Sequence, residues 1–515
     1  MLSKKFLATL MIGGMLAITA CGGGSQTAPA DGSDSQATAP ADKKVVNIGL
    51  KADPPSLDPS FSNALVERQV LGSIYDKLFD LDKDGNIVPV LVDTHTVTED
   101  GKEYTFTLKQ GIKFHDGTEF NAEAVKFNLD RYSDESSRRR SDVKVVQNVE
   151  VVDPYTVKIV LSEPFAPFLS ILTDRAGMMV SPEAVKKYGD NFLNNPVGTG
   201  AYEFVEHVKG DRVTLKKNEN YWDGEVKIDE LNYKVFTNAT AAVQNLKSGQ
   251  LDFVDEIPTK EIKALENDPN ITVIAQPGMA YQGMYLNINQ EPFTNKYLRQ
   301  AVNKAIDREA FVKVVYDGYA APANSPFYPG NLAYGDSDKT SKPDPQEIKD
   351  LLAKGGKPDG FSFKFQIRTS PVYEQYGAVV QNMLKPYGIN MELEKVEFGT
   401  LLDNGANQKF QALQLGYSGR QDPDQVFYDA MVTGQHLNFS RISNPELDDL
   451  AKQARVELDP AKRKELYDQA MEIVHDESHY VYIYHEYVLF GISNKITGFE
   501  FIPDGIIRTQ KLDKQ

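Results

Sequence analysis

The feature that most narrows what this chain can fold into sits at its start. Lys4 and Lys5 precede an almost wholly apolar stretch, Phe6 to Ala20, and then comes Cys21, the one cysteine in 515 residues. A charged start, an apolar run too short to span a bilayer and small residues before a break read as a secretory signal over residues 1–20. A lone cysteine makes no internal disulfide, so the body behind it must be held by packing.

Leu16-Ala17-Ile18-Thr19-Ala20-Cys21 resembles the lipobox of bacterial lipoproteins. That resemblance implies cleavage before Cys21 and lipidation of its sulfur and new amino group. Several acyl chains anchor stably where one does not. Residues 22–42 run Gly-Gly-Gly-Ser-Gln-Thr-Ala-Pro-Ala-Asp-Gly-Ser and continue in kind. Without a large apolar side chain this stretch cannot offset its ordering entropy, and it reads as a flexible linker. Its r.m.s. span is about 25 Å. The expected body is therefore extracytoplasmic, attached to the membrane only through its lipid.

The remaining ~470 residues exceed what one core usually serves, so two or three domains are expected. Apolar content of 41% and charged content of 25% are those of a globular protein. The net charge of −17 repels phosphate backbones and argues against nucleic-acid binding. Tyr and Phe are plentiful (25 and 26) and Trp222 is the one tryptophan.

Val45 to Leu50 reads as a strand, and Lys51 to Ser60, with three prolines, as a loop. Leu65, Val70, Ile74 and Leu78 give Ala64 to Phe79 helical spacing. Asp84-Gly85 and Asp100-Gly101 mark hairpin turns. Asn444-Pro445 and Asp459-Pro460 each place a capping side chain before a proline at the first helical position. Helices and strands mix throughout, which makes an α/β chain.

A series of ordered motifs then identifies a family resemblance. Tyr75-Asp76-Lys77-Leu78 is followed by Asp116-Gly117 with Phe120-Asn121-Ala122. Pro196-Val197-Gly198-Thr199-Gly200-Ala201-Tyr202 and Asn218-Glu219-Asn220-Tyr221-Trp222 come next. Leu298-Arg299-Gln300-Ala301, Ala305-Ile306-Asp307-Arg308 and the segment from Gly416 to Asp424 complete the set. The chain resembles the substrate-binding proteins of peptide-type ABC importers, family 5. The resemblance implies an α/β two-lobed periplasmic-binding-protein-like fold of class II type, with an inserted domain and a hinge between the lobes. Lobe 1 is expected from residues 45–80, 190–291 and 487–515, the inserted domain from 81–189, and lobe 2 from 292–486. It further implies a non-enzymatic, monomeric protein that encloses a peptide or peptide-like solute. Its partners would be an ABC permease and, through it, an ATPase. No cofactor is expected.

Arg420 is the main candidate for the ligand. Family members commonly carry at this position an Asp that pairs with the ligand's amino group. An arginine instead offers a planar fork suited to a carboxylate. Its alternative reading is an internal pair with Asp422 or Asp424. Tyr417 and Ser418 would line the cleft beside it and offer backbone groups to an extended ligand. Asp422, Asn63 beside Ala64, and Tyr281 as a stacking ring complete the expected set. Arg175 and Arg368 are further candidates for an anionic group.

Other chemistry is weaker. Asp80-Leu81-Asp82-Lys83-Asp84-Gly85 begins like a calcium loop, but Leu91 stands where a bidentate Glu is needed. Gly416-Tyr417-Ser418-Gly419-Arg420 misses the nucleophile elbow at its last position. His475 and His479 at i, i+4, with His485 nearby, allow a metal or metal-chelate reading, against that of solvated histidines at a helix end. Plentiful Asp and Glu leave a secreted peptide or glycan hydrolase as the competing class, although no local motif supports it. A surface receptor or chaperone using the same cleft is a third.

Overall fold

The computed structural model describes residues 43–515, so the signal, Cys21 and the linker lie outside the described residues. Among the described residues no helix is long and apolar enough to cross a membrane.

Val45–Leu50 is a central strand, with Val46, Ile48 and Leu50 fully buried. It pairs in parallel with Glu230–Val235 on one side and with Phe253–Val254 on the other. These belong to an eleven-stranded sheet. From one edge its order is Ile389–Val396, Phe361–Arg368, Ala412–Gln414, Ile271–Leu286 and Tyr480–Ser493, then Phe253–Val254, Val45–Leu50, Glu230–Val235, Arg212–Lys217 and Tyr202–Val208. Ala320–Pro322 adds to Tyr480–Ser493 off this path.

Two long antiparallel strands, Ile271–Leu286 and Tyr480–Ser493, run through the middle and carry the chain between two halves. One half packs on Val46, Val70, Phe253 and Phe490, the other on Leu286, Val302, Phe365 and Ile483. The register of the long pair breaks between Pro277 and Tyr281, opposite Glu486. Ladder hydrogen bonds resist bending, so an interruption is where two sheet halves can pivot. Met284–Leu286 already pairs with Ala412–Gln414 of the second half. The ladder of the long pair shifts register a second time between Gln282 and Gly283.

A separate four-stranded antiparallel sheet is ordered Val92–Val97, Glu103–Leu108, Thr156–Leu161, Val146–Asp153. With the helix Ala122–Ser133 it surrounds its own core, which runs from Leu78 to Met179 in sequence.

The helix expected over Ala64 to Phe79 is shorter, Leu65–Ile74. The Pro196–Tyr202 segment lies across its end, where the Gly200 N–H donates to Ile74 O at 2.9 Å. A Cβ on Gly198 would lie 2.2 Å from that same oxygen, so only glycine permits this approach. Just past the helix, buried Asp76 accepts hydrogen bonds from Trp222 Nε1 (2.7 Å), Tyr221 OH (3.0 Å) and Thr199 Oγ1 (3.1 Å). Tertiary contacts therefore end this helix against its own periodicity.

Candidate functional site at the seam between the lobes

The loop carrying Arg420 follows the strand Ala412–Gln414. Tyr417 and Tyr281 exchange both backbone hydrogen bonds at 3.0 Å, which fixes the loop to the long central strand. Gly419 then turns with φ 72°, and a Cβ there would meet Met279 O at 2.1 Å. That turn aims Arg420 at the seam. Its Nη1 donates to Gly419 O (2.6 Å) and Ser418 Oγ (3.0 Å), and the guanidinium lies 5.5 Å from the Tyr417 ring.

Across the seam Arg420 Nε faces Asp174 Oδ2 at 3.9 Å. Asp174 is also ion-paired with Arg68, from the helix Leu65–Ile74, whose Nε lies 2.9 Å from Oδ1, and with Arg175, whose Nη2 lies 3.7 Å from Oδ2; its buried Oδ1 accepts no hydrogen bond. Arg139 lies on the same side. It donates to Asp142 Oδ2 (2.8 Å), Ser62 O (3.1 Å) and Asn63 Oδ1 (3.2 Å). Four guanidinium groups thus gather around two carboxylates, Asp174 and Asp142. Asp504, 3.9 Å from Arg68, is held more tightly by Arg508 at 2.9 Å.

The electrostatics follow from this excess. Burial opposes the charge on Asp174, but Arg175, Arg68, Arg420 and Arg139 overcome it and hold the carboxyl well below the usual range. Arg175, 2% exposed, is pulled down to about 10 by burial, with repulsion from Arg68, Arg139 and Arg420 adding to the effect against Asp174. Its Nε, buried, has no hydrogen-bond partner, and its contacts with Ser62 Oγ and Ala64 O are long at 3.4 Å. The arrangement accommodates further negative charge.

The two lobes meet directly here. Gln421 Nε2 donates to Gly85 O (2.6 Å), Ser170 Oγ to Gln425 Oε1 (3.1 Å) and Ala166 N to Arg455 O (2.9 Å). The cavity lined by Arg68, Asp174, Ser418 and Arg420 holds about 20 Å³, room for roughly one water.

Several expectations need correction. Asp422 does not face the seam, because both its oxygens accept from Arg463 at 2.6 Å within the second lobe. Asp424 is held likewise by Arg455 at 2.9 and 2.8 Å. Neither acid is the partner of Arg420. Tyr281 is 1% exposed and packs edge-on against Tyr480 and Tyr482, so its ring is core. The Tyr417 N–H and C=O are occupied by Tyr281 and are not free for a ligand strand. Asn63 is exposed, with its N–H donated to Glu67 Oε2 at 2.6 Å and its side chain on Arg139. Arg175 joins the arginine cluster. Arg368 lies elsewhere, with its guanidinium 4.0 Å from the Tyr373 ring and 4.9 Å from that of Phe398.

The histidines do not share a helical face. The helix Pro460–Glu477 ends in a left-handed turn at Ser478 (φ 47°), which places His479 beyond it. His475 Nε2 contacts Asn324 O (2.8 Å), buried His479 faces Met431 Sδ (3.1 Å) and buried His485 faces Asp338 Oδ2 (3.3 Å). The reading of solvated histidines is corrected for the latter two. Arg68, Arg139 and Asp174 were not singled out from sequence. The run Arg138-Arg139-Arg140 was the available signal for a cationic site.

Comparison with known proteins agrees with this architecture. A family model described as bacterial extracellular solute-binding proteins, family 5 Middle, matches residues 86–439. The glutathione-binding protein GsiB of Escherichia coli (strain K12) is 34% identical over 475 residues, covering 90% of this chain and 93% of that protein. Among solved structures, the periplasmic binding protein DppA from Helicobacter pylori in complex with peptide STSA has a TM-score of 0.77 at 26% identity, covering 91% of this chain and 98% of that one. The binding protein AgaA from A. tumefaciens R10 in complex with agropinic acid has the same TM-score and identity, covering 92% and 99%.

Proposed function

The chain belongs to family 5 of the bacterial extracellular solute-binding proteins, and from that premise we propose that it captures a peptide or peptide-like solute bearing an acidic group. The captured solute is delivered to an ABC permease, with no chemistry performed on it. The observation that carries the acidic preference is the convergence of Arg420, Arg68, Arg139 and Arg175 on Asp174 and Asp142, with Asp504, the third carboxylate there, held by Arg508. A carboxylate entering there would meet the Arg420 fork in the bidentate geometry that gives strong charge-assisted hydrogen bonds. A free ammonium, by contrast, would enter a field of like charge. The names of the relatives support the class, since glutathione is a short peptide carrying two carboxylates.

Solute clasped by both lobes favours the closed form over the open one, and the closed form is what the permease reads. The lipobox-like segment at Cys21 supports a lipid-anchored, extracytoplasmic body. Mass spectrometry of solute co-purified with the protein, followed by calorimetry with glutathione, tests the reading. Arg420→Ala should weaken binding of an acidic ligand more than tenfold. A change below about 0.5 kcal/mol places the anchor elsewhere.

A further inference from the structure

We propose that Asp174 is a resident competitor for Arg420, a carboxylate of the chain itself that stands where the ligand's acidic group must go and so sets specificity. This rests on the reading of Arg420 as the ligand's anchor.

Three features of the seam support it. The first is geometry. Arg420 is oriented by its own loop, through Gly419 O and Ser418 Oγ, and turns its Nε toward Asp174. The 3.9 Å separation is an ion pair and not a hydrogen bond, so a carboxylate that makes charge-assisted hydrogen bonds displaces it. The second is that Asp174 keeps its charge when Arg420 lets go. Arg68 remains at 2.9 Å and Arg175 at 3.7 Å, so releasing Arg420 strands no buried anion. The third is space. With the lobes meeting through Gln421, Gln425 and Arg455, the cavity at this pair holds about 20 Å³. A peptide carboxylate cannot be added beside the pair and must separate it.

The chemical consequence is a charge threshold. A carbonyl or hydroxyl offers Arg420 a neutral acceptor, weaker than the carboxylate it already faces, and does not part the two residues. A carboxylate offers two charge-assisted hydrogen bonds and does. Asp174 thereby rejects neutral analogues that would fit the same shape, in the manner of specificity by an opposing element. It also links the small-sheet unit to the second lobe, so the same pair favours closure of the seam.

The test is calorimetry with glutathione on the full folded body, using Asp174→Asn, Asp174→Glu, Arg420→Ala and the Asp174→Asn/Arg420→Ala double variant. Asp174→Asn is expected to tighten glutathione about tenfold, Asp174→Glu to leave it within about twofold, and the gain to vanish in the double variant. If Arg420→Ala weakens binding while Asp174→Asn fails to tighten it, Asp174 is scaffolding and this inference is overturned while the anchor stands. If Arg420→Ala has no effect, both fall. Should the Asp174 variants not fold, calorimetry of the unmodified protein with glutathione and with its neutral diamide decides: glutathione should bind more than tenfold tighter, and equal affinities overturn the inference.

Discussion

Arg463 grips Asp422 with two parallel hydrogen bonds of 2.6 Å, one to each carboxylate oxygen, and both residues are buried. This pairing anchors the start of the segment that follows Arg420. Removing one partner leaves the other charged and unpaired in the interior. Arg463→Ala should lower stability by about 3–5 kcal/mol in urea denaturation. A loss under about 1 kcal/mol would mean water reaches the pair.

Gly419 makes a second, sharper prediction. Its positive φ and the 2.1 Å approach of Met279 O to a Cβ leave no room for a side chain. Gly419→Ala should destabilise the protein by about 2 kcal/mol or more and displace Arg420. Thermal unfolding and glutathione calorimetry should fall together. A variant with normal stability would show that the loop has another low-energy path.

Asp76 predicts a pH dependence. Burial raises its pKa to about 6, against the hydrogen bonds from Trp222, Tyr221 and Thr199. The folded state therefore holds this proton more tightly than the unfolded chain, whose Asp titrates near 4. The contribution to stability is complete below about pH 4 and is lost as pH rises through about 6, on the order of 3 kcal/mol at most. Asp76→Asn should flatten this part of the stability profile, measured by denaturant midpoints between those limits. An unchanged slope would assign it to other groups.

His479 tests the metal reading. Burial, with Arg299 adding, lowers its pKa to about 3, so the ring stays neutral and enclosed. Nickel and zinc titrations of the unmodified protein and of His479→Ala should give superimposable calorimetric traces. A difference between them would restore a histidine-dependent site.

Local signals in the sequence specify local structure here. Asn444 and Asp459 cap the helices Pro445–Val456 and Pro460–Glu477 through paired backbone N–H groups, because capping is decided within three residues. Val45–Leu50 forms a strand with the bounds its β-branched residues suggest. What local pattern could not supply was pairing over distance. Arg420 was legible as a cation in the family's ligand segment, yet Asp422 and Asp424, its near neighbours, turn to Arg463 and Arg455 on later helices. Its own partner, Asp174, comes from the other side of the molecule. The helix from Leu65 stopped early for the same reason, since the Gly198–Gly200 segment that crosses its end is remote in sequence.

The long strand Tyr480–Ser493 borders Ile271–Leu286, Phe253–Val254 and Ala320–Pro322, and so completes the sheet on both sides of the register break. Synthesis runs from the N-terminus, and a nascent chain that has not yet reached Tyr480 has an open edge in each half at once. Neither half can close its sheet until residues 480–493 emerge, so the timetable of assembly is set by a strand that both halves share.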